Sequence, residues 1–380
     1  MRLSFLSHEF PPIGGGAASA LDRFTTLLAE QGHEVQILTI GLGEQTEIME
    51  DATGRQIIRY GVGRQRKLSP SLLELIRSYW VLRRRTVLEL TLFKPDATIA
   101  FFAFPAGHAL MALPRALTGP RVVSIRGSDI PGFSPKRWGV FQTIQPWLTR
   151  PVLRDADRVM ANGSNLVKLT HAFMPGLEVL NTPNGIDCTL FHPAEPSAER
   201  ERGPLRLLFV GQLIARKRVG LLLQGLQHWG EGGGEAQVTI AGSGPLQAVL
   251  QQQAEQLPAG IKVAFKGHVE REAMPALYRD HELLVHLSMA EGISNVSLEA
   301  MASGLPLITT PEAAGEEMAD TNAAMLLQDP TPGALADQFE QLHHNRERLA
   351  EISQGARQRA QQFDWHQSAE RFIRALQQLL

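Results

Sequence analysis

The chain has 380 residues, of which 43% are hydrophobic and 20% are charged, as is typical of folded globular proteins. The net charge of −2 hides an asymmetry, because residues 1–190 carry 21 basic and 16 acidic side chains, whereas residues 191–380 carry 16 and 23. This balance argues against nucleic acid as a partner, and the length allows two or three domains. The single cysteine, Cys188, excludes a disulfide scaffold and favours a reducing compartment, so we expect a cytoplasmic protein.

No targeting or membrane-spanning segment is predicted. The apolar run over residues 3–6 is too short for a signal peptide. The uncharged stretch over 97–114 approaches the length of a membrane span, but Pro105, Gly107 and His108 interrupt it. A buried strand followed by a helix is therefore the preferred interpretation of that stretch.

Short apolar runs alternate with longer amphipathic segments along the chain, which is typical of βαβ units with parallel sheets. In the first half, this pattern predicts a helix over 17–31 and strands over 2–7, 34–40, 57–60, 97–102, 121–125 and 158–161. After Pro193, further strands are predicted over 205–210, 237–241, 261–265, 283–287 and 306–308. The segment 193–204, rich in Pro, Glu and Arg, is the best linker candidate. The sequence thus predicts two Rossmann-like domains, about 1–190 and 205–365, with a cleft between them.

Three consecutive glycines, 14–16, separate the first predicted strand from the first helix. Ligands of parallel sheets bind at the carboxyl ends of strands, and glycines allow the backbone to approach a ligand closely. The spacing is not G-x-G-x-x-G, and no acidic residue ends the second strand. A nicotinamide-dependent dehydrogenase is therefore disfavoured.

The densest cluster of candidate site residues lies over 291–306, after an apolar strand. Ser294 is a plausible N-cap of the next helix, and the N–H groups of residues 294–296 could hold a diphosphate at the positive helix end. The Glu299 carboxylate could accept hydrogen bonds from both hydroxyls of a ribose, and Glu291 from hydroxyls of a sugar. Taken singly, each acid is better explained as a solvated residue near a helix N-terminus.

A second cluster, over 210–217, also ends a strand and opens a helix. Arg216 and Lys217 could neutralise a diphosphate leaving group there. The alternative is a solvated helix start. Cations at a helix N-terminus oppose the helix dipole, which weakens that alternative, so the two interpretations carry equal weight. The segment 242–245, Gly-Ser-Gly-Pro, allows close backbone approach or forms a plain turn.

Together these segments resemble retaining glycosyltransferases of the GT-B fold, glycosyltransferase family 4. Six motifs occur in the family's order and spacing: Pro11-Pro12-x-Gly14-Gly15-Gly16, Asn184-Gly185-Ile186-Asp187, Gly211 to Lys217, Phe265-x-Gly267-x-Val269 with Tyr278, E-x7-E at Glu291 and Glu299, and Phe363-Asp364-Trp365. The resemblance spans essentially the whole chain and implies an α/β fold with two Rossmann-like domains. The implied parts are an acceptor domain, 1–190, a nucleotide-sugar donor domain, 191–365, and a last helix, 366–380, that returns to the first domain.

The resemblance also implies a function: transfer of a sugar, with retention of its configuration, from a nucleotide-diphosphate sugar to a glycan or lipid-linked acceptor of cell-envelope polysaccharide or glycolipid synthesis. It implies no metal and no other cofactor, and same-face substitution in which the leaving phosphate takes the acceptor's proton. The residues implied in catalysis are Glu291, Arg216, Lys217 and Arg126. The residues implied in donor binding are Gly15, Gly16, Gly211, Gly244, Gly267, His268, Val269, Gly292, Ile293, Ser294, Asn295, Val296 and Glu299.

Two positions depart from the family pattern. Gln212 stands where many members have arginine. Arg126-Gly127-Ser128-Asp129 stands where members usually read His-Gly-x-Asp, and that histidine commonly contacts the donor sugar. Arginine keeps its charge and is no general base at neutral pH. Either Arg126 binds an anionic group or the sugar contact differs, and both interpretations stay open.

Two further patterns are interpreted as structural. Asp155 and Asp157 have the D-x-D spacing of metal-dependent glycosyltransferases, but arginines flank them, so a salt-bridged turn is expected. His343 and His344 lie in a polar helix without a third ligand, which disfavours a metal site.

The stretch 64–85 predicts an amphipathic basic helix that could contact an anionic membrane at its inner face. Its cations are Arg64, Arg66, Lys67, Arg77, Arg83, Arg84 and Arg85, against Glu74. A helix packed on the sheet with a basic outer face is the alternative, and a groove for an anionic acceptor is a third.

Two rival functions also stay open: a nucleotide-sugar epimerase of GT-B fold, and a non-catalytic nucleotide-sugar-binding subunit.

Overall fold

The structure, a computed structural model, describes residues 1–65, 67, 70–133, 140–195 and 203–380. These residues form two units, the first made of 1–184 with 365–380 and the second of 185–364. The first unit thus ends at Asn184 rather than at residue 190. The reason is that the Ile186 N–H donates to the Phe363 carbonyl, and Ile186 is buried in a core of the second unit. The predicted linker 193–204 falls inside that unit, and its residues 196–202 lie outside the described part of the chain.

The first unit is built on an eight-stranded sheet. Its strands are β1 (Arg2–Leu6), β2 (Glu34–Leu42), β3 (Glu47–Glu50), β4 (Gln56–Arg64), β5 (Ala97–Phe101), β6 (Arg121–Ile125), β7 (Arg158–Ala161) and β8 (Val179–Asn181). They lie in the order β3-β4-β2-β1-β5-β6-β7-β8, and only β3 is antiparallel to its neighbour. The helices between them are α1 (Gly16–Glu30), α2 (Leu72–Phe93), α3 (His108–Met111), α4 (Arg115–Thr118), α5 (Val140–Asp155) and α6 (Ser164–Phe173).

The second unit is built on a six-stranded parallel sheet. Its strands are β9 (Leu205–Val210), β10 (Ala236–Ala241), β11 (Ile261–Gly267), β12 (Leu283–His286), β13 (Leu307–Thr309) and β14 (Ala324–Leu326). They lie in the order β11-β10-β9-β12-β13-β14, the doubly wound order of a Rossmann fold. The remaining helices are α7 (Val219–Glu231), α8 (Gln247–Ala254), α9 (Met274–Arg279), α10 (Asn295–Ala302), α11 (Pro311–Met318), α12 (Pro332–His344), α13 (Arg346–Ala360) and α14 (Trp365–Gln377).

Every strand predicted from the sequence is present, within a few residues of its expected bounds. Three strands, β3, β8 and β14, were not predicted. Helix α14 belongs to the first unit, where Phe372 stacks against Phe5 at 6.3 Å and meets Phe24 edge-on at 4.5 Å between ring centroids. Among the described residues, no helix is long and apolar enough to cross a membrane.

The order of strands reverses at one place in each sheet. In the first sheet this switch point lies between β1 and β5, and in the second it lies between β9 and β12. Strands on either side of a switch point send their following loops to opposite faces, which opens a crevice at their carboxyl ends. The two loops flanking the second switch point begin at Gly211 and at Leu287, next to the two strongest clusters of the sequence.

Candidate active site

Two cations and one carboxylate meet at the carboxyl edge of the second sheet. Arg216 and Lys217 lie in the short helical turn after β9, and Glu291 lies in the loop between β12 and α10. Glu291 Oε1 accepts a hydrogen bond from Lys217 Nζ at 2.6 Å and another from Arg216 Nη1 at 2.9 Å. Arg216 Nη1 also donates to the hydroxyl of Ser288 and to the carbonyl of Ala290. Three of the four residues predicted for catalysis thus form one cluster.

The cluster is shielded from solvent. The side chains of Lys217 and Glu291 are 12% and 14% exposed. Burial by itself raises the pKa of the Glu291 carboxyl, but Lys217 and Arg216 outweigh burial and hold that pKa well below its usual range. Glu291 is therefore an anion at neutral pH, and the three side chains carry one net positive charge. Within the described residues, Lys217 uses one of its three ammonium hydrogens, on Glu291.

His286, which the sequence analysis missed, lies beside the cluster at the end of β12. Its side chain is 1% exposed, and its Nε2 is 3.8 Å from Glu291 Oε1. That nitrogen has no hydrogen-bond partner within the part of the chain that the structure describes. Burial and the nearby Lys217 lower the pKa of His286 to about 3, so its ring is neutral. A single histidine within the apolar run 283–287 is the sequence signal that could have found it.

Glu299 lies one turn into α10 and has a buried partner. Tyr278, which is fully buried, donates a hydrogen bond from its hydroxyl to Glu299 Oε2 at 2.9 Å. Burial raises the pKa of Glu299 to about 7, against the lowering effect of the Tyr278 hydrogen bond. Near neutral pH, Glu299 is therefore partly protonated in the protein without a ligand.

Helix α10 begins at this site. Ser294 is its N-cap, because its side-chain oxygen accepts a hydrogen bond from the Ser297 N–H at 3.2 Å, as the sequence predicted. Residues 292–293 precede the cap and are buried, whereas residues 295–296 open the helix and are half-buried. The first turn of a helix presents N–H groups without intrahelical partners and a partial positive charge. The predicted donor-binding segment therefore offers hydrogen-bond donors next to the two cations.

Two glycines near the cluster have a packing explanation. A Cβ on Gly244 would lie 2.5 Å from the Leu213 carbonyl oxygen, and one on Gly242 would meet the Gly211 carbonyl oxygen even more closely. Both positions therefore require glycine for the packing of one loop on the other. Whether Gly211 and Gly244 also contact a donor stays a prediction.

The predicted donor residues at 267–269 end β11 and begin the loop after it. The His268 side chain is 72% exposed, and its Nε2 lies 3.7 Å from Glu270 Oε1. Val269 is half-buried and packs against a core cluster of the second unit. The backbone of this segment lies near the sheet edge, and its contact with a nucleotide stays a prediction.

Arg126 belongs to the first unit and is held by groups of that unit. Its guanidinium lies over the Phe101 ring, 4.0 Å from the centroid, and Nη1 donates to Asn184 Oδ1 at 2.9 Å. Burial lowers the pKa of Arg126 to about 9, with Asp129 acting in the opposite direction, so the side chain is positive at neutral pH. Arg126 is thus in a different unit from the cluster around Glu291, and its catalytic role stays a prediction.

The glycine loop of the first unit opens α1. Gly15 is the N-cap of α1 and Gly16 is its first residue. A Cβ on Gly15 would meet no atom within 4 Å, so the protein's own packing does not require glycine there. A ligand at these two residues stays a prediction.

The D-x-D pattern is a salt-bridged turn, as expected. Asp155 pairs with the buried Arg121 at 2.6 Å, and Asp157 pairs with Arg115 at 2.7 Å. His344 is bound to Glu340 at 3.0 Å. Within the described ranges, no group of three or more His, Cys, Asp or Glu side chains could hold a metal ion.

One member of the predicted basic surface is not on the surface. Arg64 is 1% exposed, and its Nη1 donates to the His8 carbonyl at 3.0 Å, so it supports the core of the first unit. Arg66 lies outside the described residues, and Lys67 is exposed. The remaining cations of the stretch are all on α2.

Known families account for nearly the whole chain. The family described as "Glycosyltransferase Family 4" matches residues 14–190, and the one described as "Glycosyl transferases group 1" matches residues 194–359. The chain belongs to glycosyltransferase family 4. Its fold is GT-B, and it is a glycosyltransferase, as the resemblance implied.

Relatives of this family 4 chain include two mycobacterial enzymes. Glycogen synthase from Mycobacterium tuberculosis is 27% identical over 82% of this chain and 78% of its own length. A GDP-mannose-dependent alpha-(1-6)-phosphatidylinositol dimannoside mannosyltransferase from the same species is 23% identical over 99% of this chain and 96% of its own length. Among solved structures, sucrose-phosphate synthase from Thermosynechococcus elongatus has a TM-score of 0.84 at 16% identity, covering 100% of this chain and 99% of that one.

Proposed function

We propose that this glycosyltransferase moves a sugar from a nucleoside diphosphate to a hydroxyl of a lipid-linked or glycan acceptor, with retention of configuration and without a metal ion. The observation that carries the proposal is the cluster of Arg216, Lys217 and Glu291 beside the start of α10. Its two cations and the helix N-terminus are the groups that a diphosphate requires. The mannosyltransferase relative, by its name, uses GDP-mannose and phosphatidylinositol dimannoside, which supports both substrate classes.

In the proposed reaction, the bond between the sugar C1 and the phosphate oxygen breaks, and a bond between C1 and the acceptor oxygen forms on the same face. The acceptor's proton passes to the leaving phosphate, so no protein base is required. Negative charge grows on the diphosphate as its bond breaks, and Arg216 and Lys217 stabilise that charge. Glu291 holds both cations in place before the donor binds. Glu299 binds the ribose hydroxyls through its carboxylate.

The same arrangement supports the proposed metal independence. A divalent ion serves other transferases by neutralising the diphosphate, and here two side-chain cations are available for that work. Asp155 and Asp157 are each already paired with an arginine.

The test begins with thermal-shift screening against UDP-, GDP- and ADP-sugars to find the donor. Transfer to a lipid extract is then followed with and without excess EDTA, and the anomeric configuration of the product is read by NMR. We expect transfer to persist in EDTA with the donor's configuration. Abolition by EDTA and recovery with Mn²⁺ would contradict metal independence. A sugar-nucleotide isomer formed without acceptor would instead identify an epimerase.

We further propose that α2 contacts an anionic membrane from the cytoplasmic side. Apolar side chains are exposed along one face of this helix: Leu73 is 71% exposed, Leu88 63% and Trp80 44%. Arg77 and Arg84 are exposed beside them, and Arg84 lies over the Trp80 ring, 5.1 Å from its centroid. Exposed leucines and tryptophan flanked by arginines are typical of helices that lie in a membrane interface.

The charge contribution is modest and depends on salt. Each arginine near an anionic surface contributes about 1 kcal/mol, and the attraction falls off within a Debye length of about 8 Å at physiological salt. The exposed apolar side chains add attraction that salt does not screen. Binding through α2 should therefore be reversible, and it should weaken as salt rises.

Cosedimentation with phosphatidylglycerol vesicles tests the membrane proposal. We expect binding at low salt, loss at high salt, and little binding to phosphatidylcholine vesicles. The Arg77→Gln/Arg84→Gln variant should bind more weakly, whereas Arg371→Gln/Arg374→Gln on α14, which removes the same charge, should bind like the native protein. Equal binding by the two variants, or no binding at low salt, would contradict a role for α2.

A further inference from the structure

His286 presents a buried ring nitrogen that the fold itself does not use. The residue ends β12, its side chain is 1% exposed, and Nε2 has no hydrogen-bond partner in any described stretch of the chain. Most buried polar groups in folded proteins are hydrogen-bonded, because an unpaired one has lost its water without compensation. An unpaired nitrogen beside the cluster of Arg216, Lys217 and Glu291 therefore requires an explanation.

The His286 ring is neutral at physiological pH. Burial lowers its pKa to about 3, and the positive charge of Lys217 acts in the same direction, against the attraction of Glu291. A neutral imidazole carries one ring hydrogen, either on Nδ1 or on Nε2. His286 therefore adds no charge to the cluster, and what it can offer to a carboxylate is a neutral N–H.

Glu291 lies just beyond the reach of that nitrogen. His286 Nε2 is 3.8 Å from Glu291 Oε1, whereas an N–H···O hydrogen bond is about 2.9 Å long. The same oxygen already accepts hydrogen bonds from Lys217 Nζ at 2.6 Å and from Arg216 Nη1 at 2.9 Å. A carboxylate oxygen has about two lone-pair sites, so Lys217 and Arg216 occupy the positions that His286 would need.

His286 is fixed more firmly than Glu291. It is paired with Thr309 in the sheet, and its carbonyl accepts a hydrogen bond from the Thr309 hydroxyl at 2.9 Å. Glu291 lies in the loop between β12 and α10, outside the strands and helices. A movement of Glu291 Oε1 by about 1 Å would bring it within hydrogen-bond distance of His286 Nε2 without any change in the sheet.

Binding of the donor provides a cause for that movement. Phosphate oxygens compete with Glu291 for the hydrogens of Lys217 and Arg216, and charge-assisted hydrogen bonds to phosphate are strong. The diphosphate also repels the Glu291 carboxylate, since both are negative. Glu291 then needs a further donor to remain ionised and in place, and the N–H of a neutral histidine supplies one.

We propose that His286 is a positioning residue for Glu291, whose Nε2–H becomes a hydrogen-bond donor to Glu291 Oε1 when a diphosphate draws Lys217 away. The inference rests on the proposed function for the presence of the diphosphate. It assigns the ring hydrogen of His286 to Nε2. It also leaves Glu291 Oε2 for a hydroxyl of the donor sugar, because Oε1 is held by the protein in both states.

The position of the ring hydrogen is the first test. Long-range proton–nitrogen correlation NMR on the full chain, with histidine labelled with nitrogen-15, distinguishes a hydrogen on Nε2 from one on Nδ1. The signals of His286 are those that disappear in His286→Gln. We expect the hydrogen on Nε2 in the protein without a ligand. A hydrogen on Nδ1 would leave Nε2 unable to donate and would overturn the proposal.

Lys217→Met imitates the departure of Lys217 without any ligand. One of the two hydrogen bonds to Glu291 Oε1 is then absent, so that oxygen can accept from His286. We expect the Nε2–H proton of His286 to shift downfield, as protons do on hydrogen bonding to a carboxylate. Lys262→Met, at an exposed position of β11, should leave the signal unchanged. An unshifted proton in Lys217→Met would also overturn the proposal.

Denaturant unfolding measures the same contact independently. In Lys217→Met/His286→Phe, Glu291 loses both Lys217 and its replacement, so the unfolding constant should exceed the product of the two single effects by about tenfold. Lys217→Met/His286→Gln should show a smaller excess, because the glutamine amide can donate from near the position of Nε2. Single effects that simply multiply in the phenylalanine double variant would contradict the contact.

Nucleotide titration separates this proposal from the proposed function. UDP, GDP and ADP are each added to the labelled protein. A nucleotide that binds should shift the Nε2–H proton downfield as Lys217→Met does, and a bound nucleotide without that shift would overturn the role of His286. Absence of binding by all three would contradict the proposed function, whereas the ring hydrogen and the shift in Lys217→Met decide the contact between His286 and Glu291 without it.

Discussion

Replacing Lys217 by methionine isolates its charge. The Lys217 stem packs near Gly211, since a Cβ there would lie 3.7 Å from Lys217 Cε, and methionine keeps most of that contact. The charge itself faces Glu291 at 2.6 Å in a site where the lysine is 12% exposed. Loss of a shielded charged contact to a ligand costs about 2–5 kcal/mol, so the affinity for a nucleoside diphosphate should fall roughly 30- to 4,000-fold.

The same substitution should leave the fold intact. Breaking a buried ion pair lowers stability chiefly when it leaves a buried charge without a partner. In Lys217→Met, Arg216 Nη1 still donates a hydrogen bond to Glu291 Oε1 at 2.9 Å. The free energy of unfolding should therefore fall by less than the loss of about 3–5 kcal/mol expected when a buried charge loses its partner. Isothermal titration calorimetry with the nucleotide and denaturant unfolding measure the two effects. Lys262→Met on the exposed edge strand β11 is the matched control. Native-like nucleotide affinity in Lys217→Met would refute the diphosphate assignment.

Three further predictions concern titration and stability. Because Glu299 has a pKa of about 7, nucleotide affinity should rise up to about tenfold between pH 6 and pH 8 as the carboxylate ionises. Glu299→Gln should remove the part of that rise that comes from the ionisation of Glu299. The Tyr278 hydrogen bond lowers the pKa of Glu299, so removing it in Tyr278→Phe should move the midpoint of the rise to higher pH. A midpoint that moves to lower pH would contradict this. Asp155→Asn should cost about 1–3 kcal/mol of stability by unpairing the buried Arg121, and should leave transfer and its response to Mn²⁺ unchanged. A loss of transfer in that folded variant would contradict the structural role of Asp155.

Most strands of the two sheets could be predicted because they are buried and largely apolar. Strands such as β5 and β6 are buried at every residue, and most of their residues are apolar, so they are recognisable from the sequence. The edge strand β3 is exposed at every residue and begins and ends with glutamate, so its sequence carries no such pattern. Its pairing with β4 depends on tertiary contact rather than on its own composition.

The two loops of the candidate site could be predicted from the sequence, whereas the contact between them could not. The loops at Lys217 and Glu291 each follow a predicted strand, but the two residues are 74 positions apart, and their contact depends on β9 and β12 being neighbours. Arg64 shows the opposite case. Its sequence neighbours are basic, yet its guanidinium is buried against the His8 carbonyl, which composition alone does not reveal.

A crystal structure of the enzyme with its nucleoside diphosphate tests the central claim most directly. We predict the diphosphate at the start of α10, with oxygens about 2.7–3.2 Å from Lys217 Nζ and from the Arg216 guanidinium. We also predict the ribose hydroxyls at the Glu299 carboxylate. A diphosphate bound away from Lys217 and Arg216, or one bound only through a divalent ion, would contradict it.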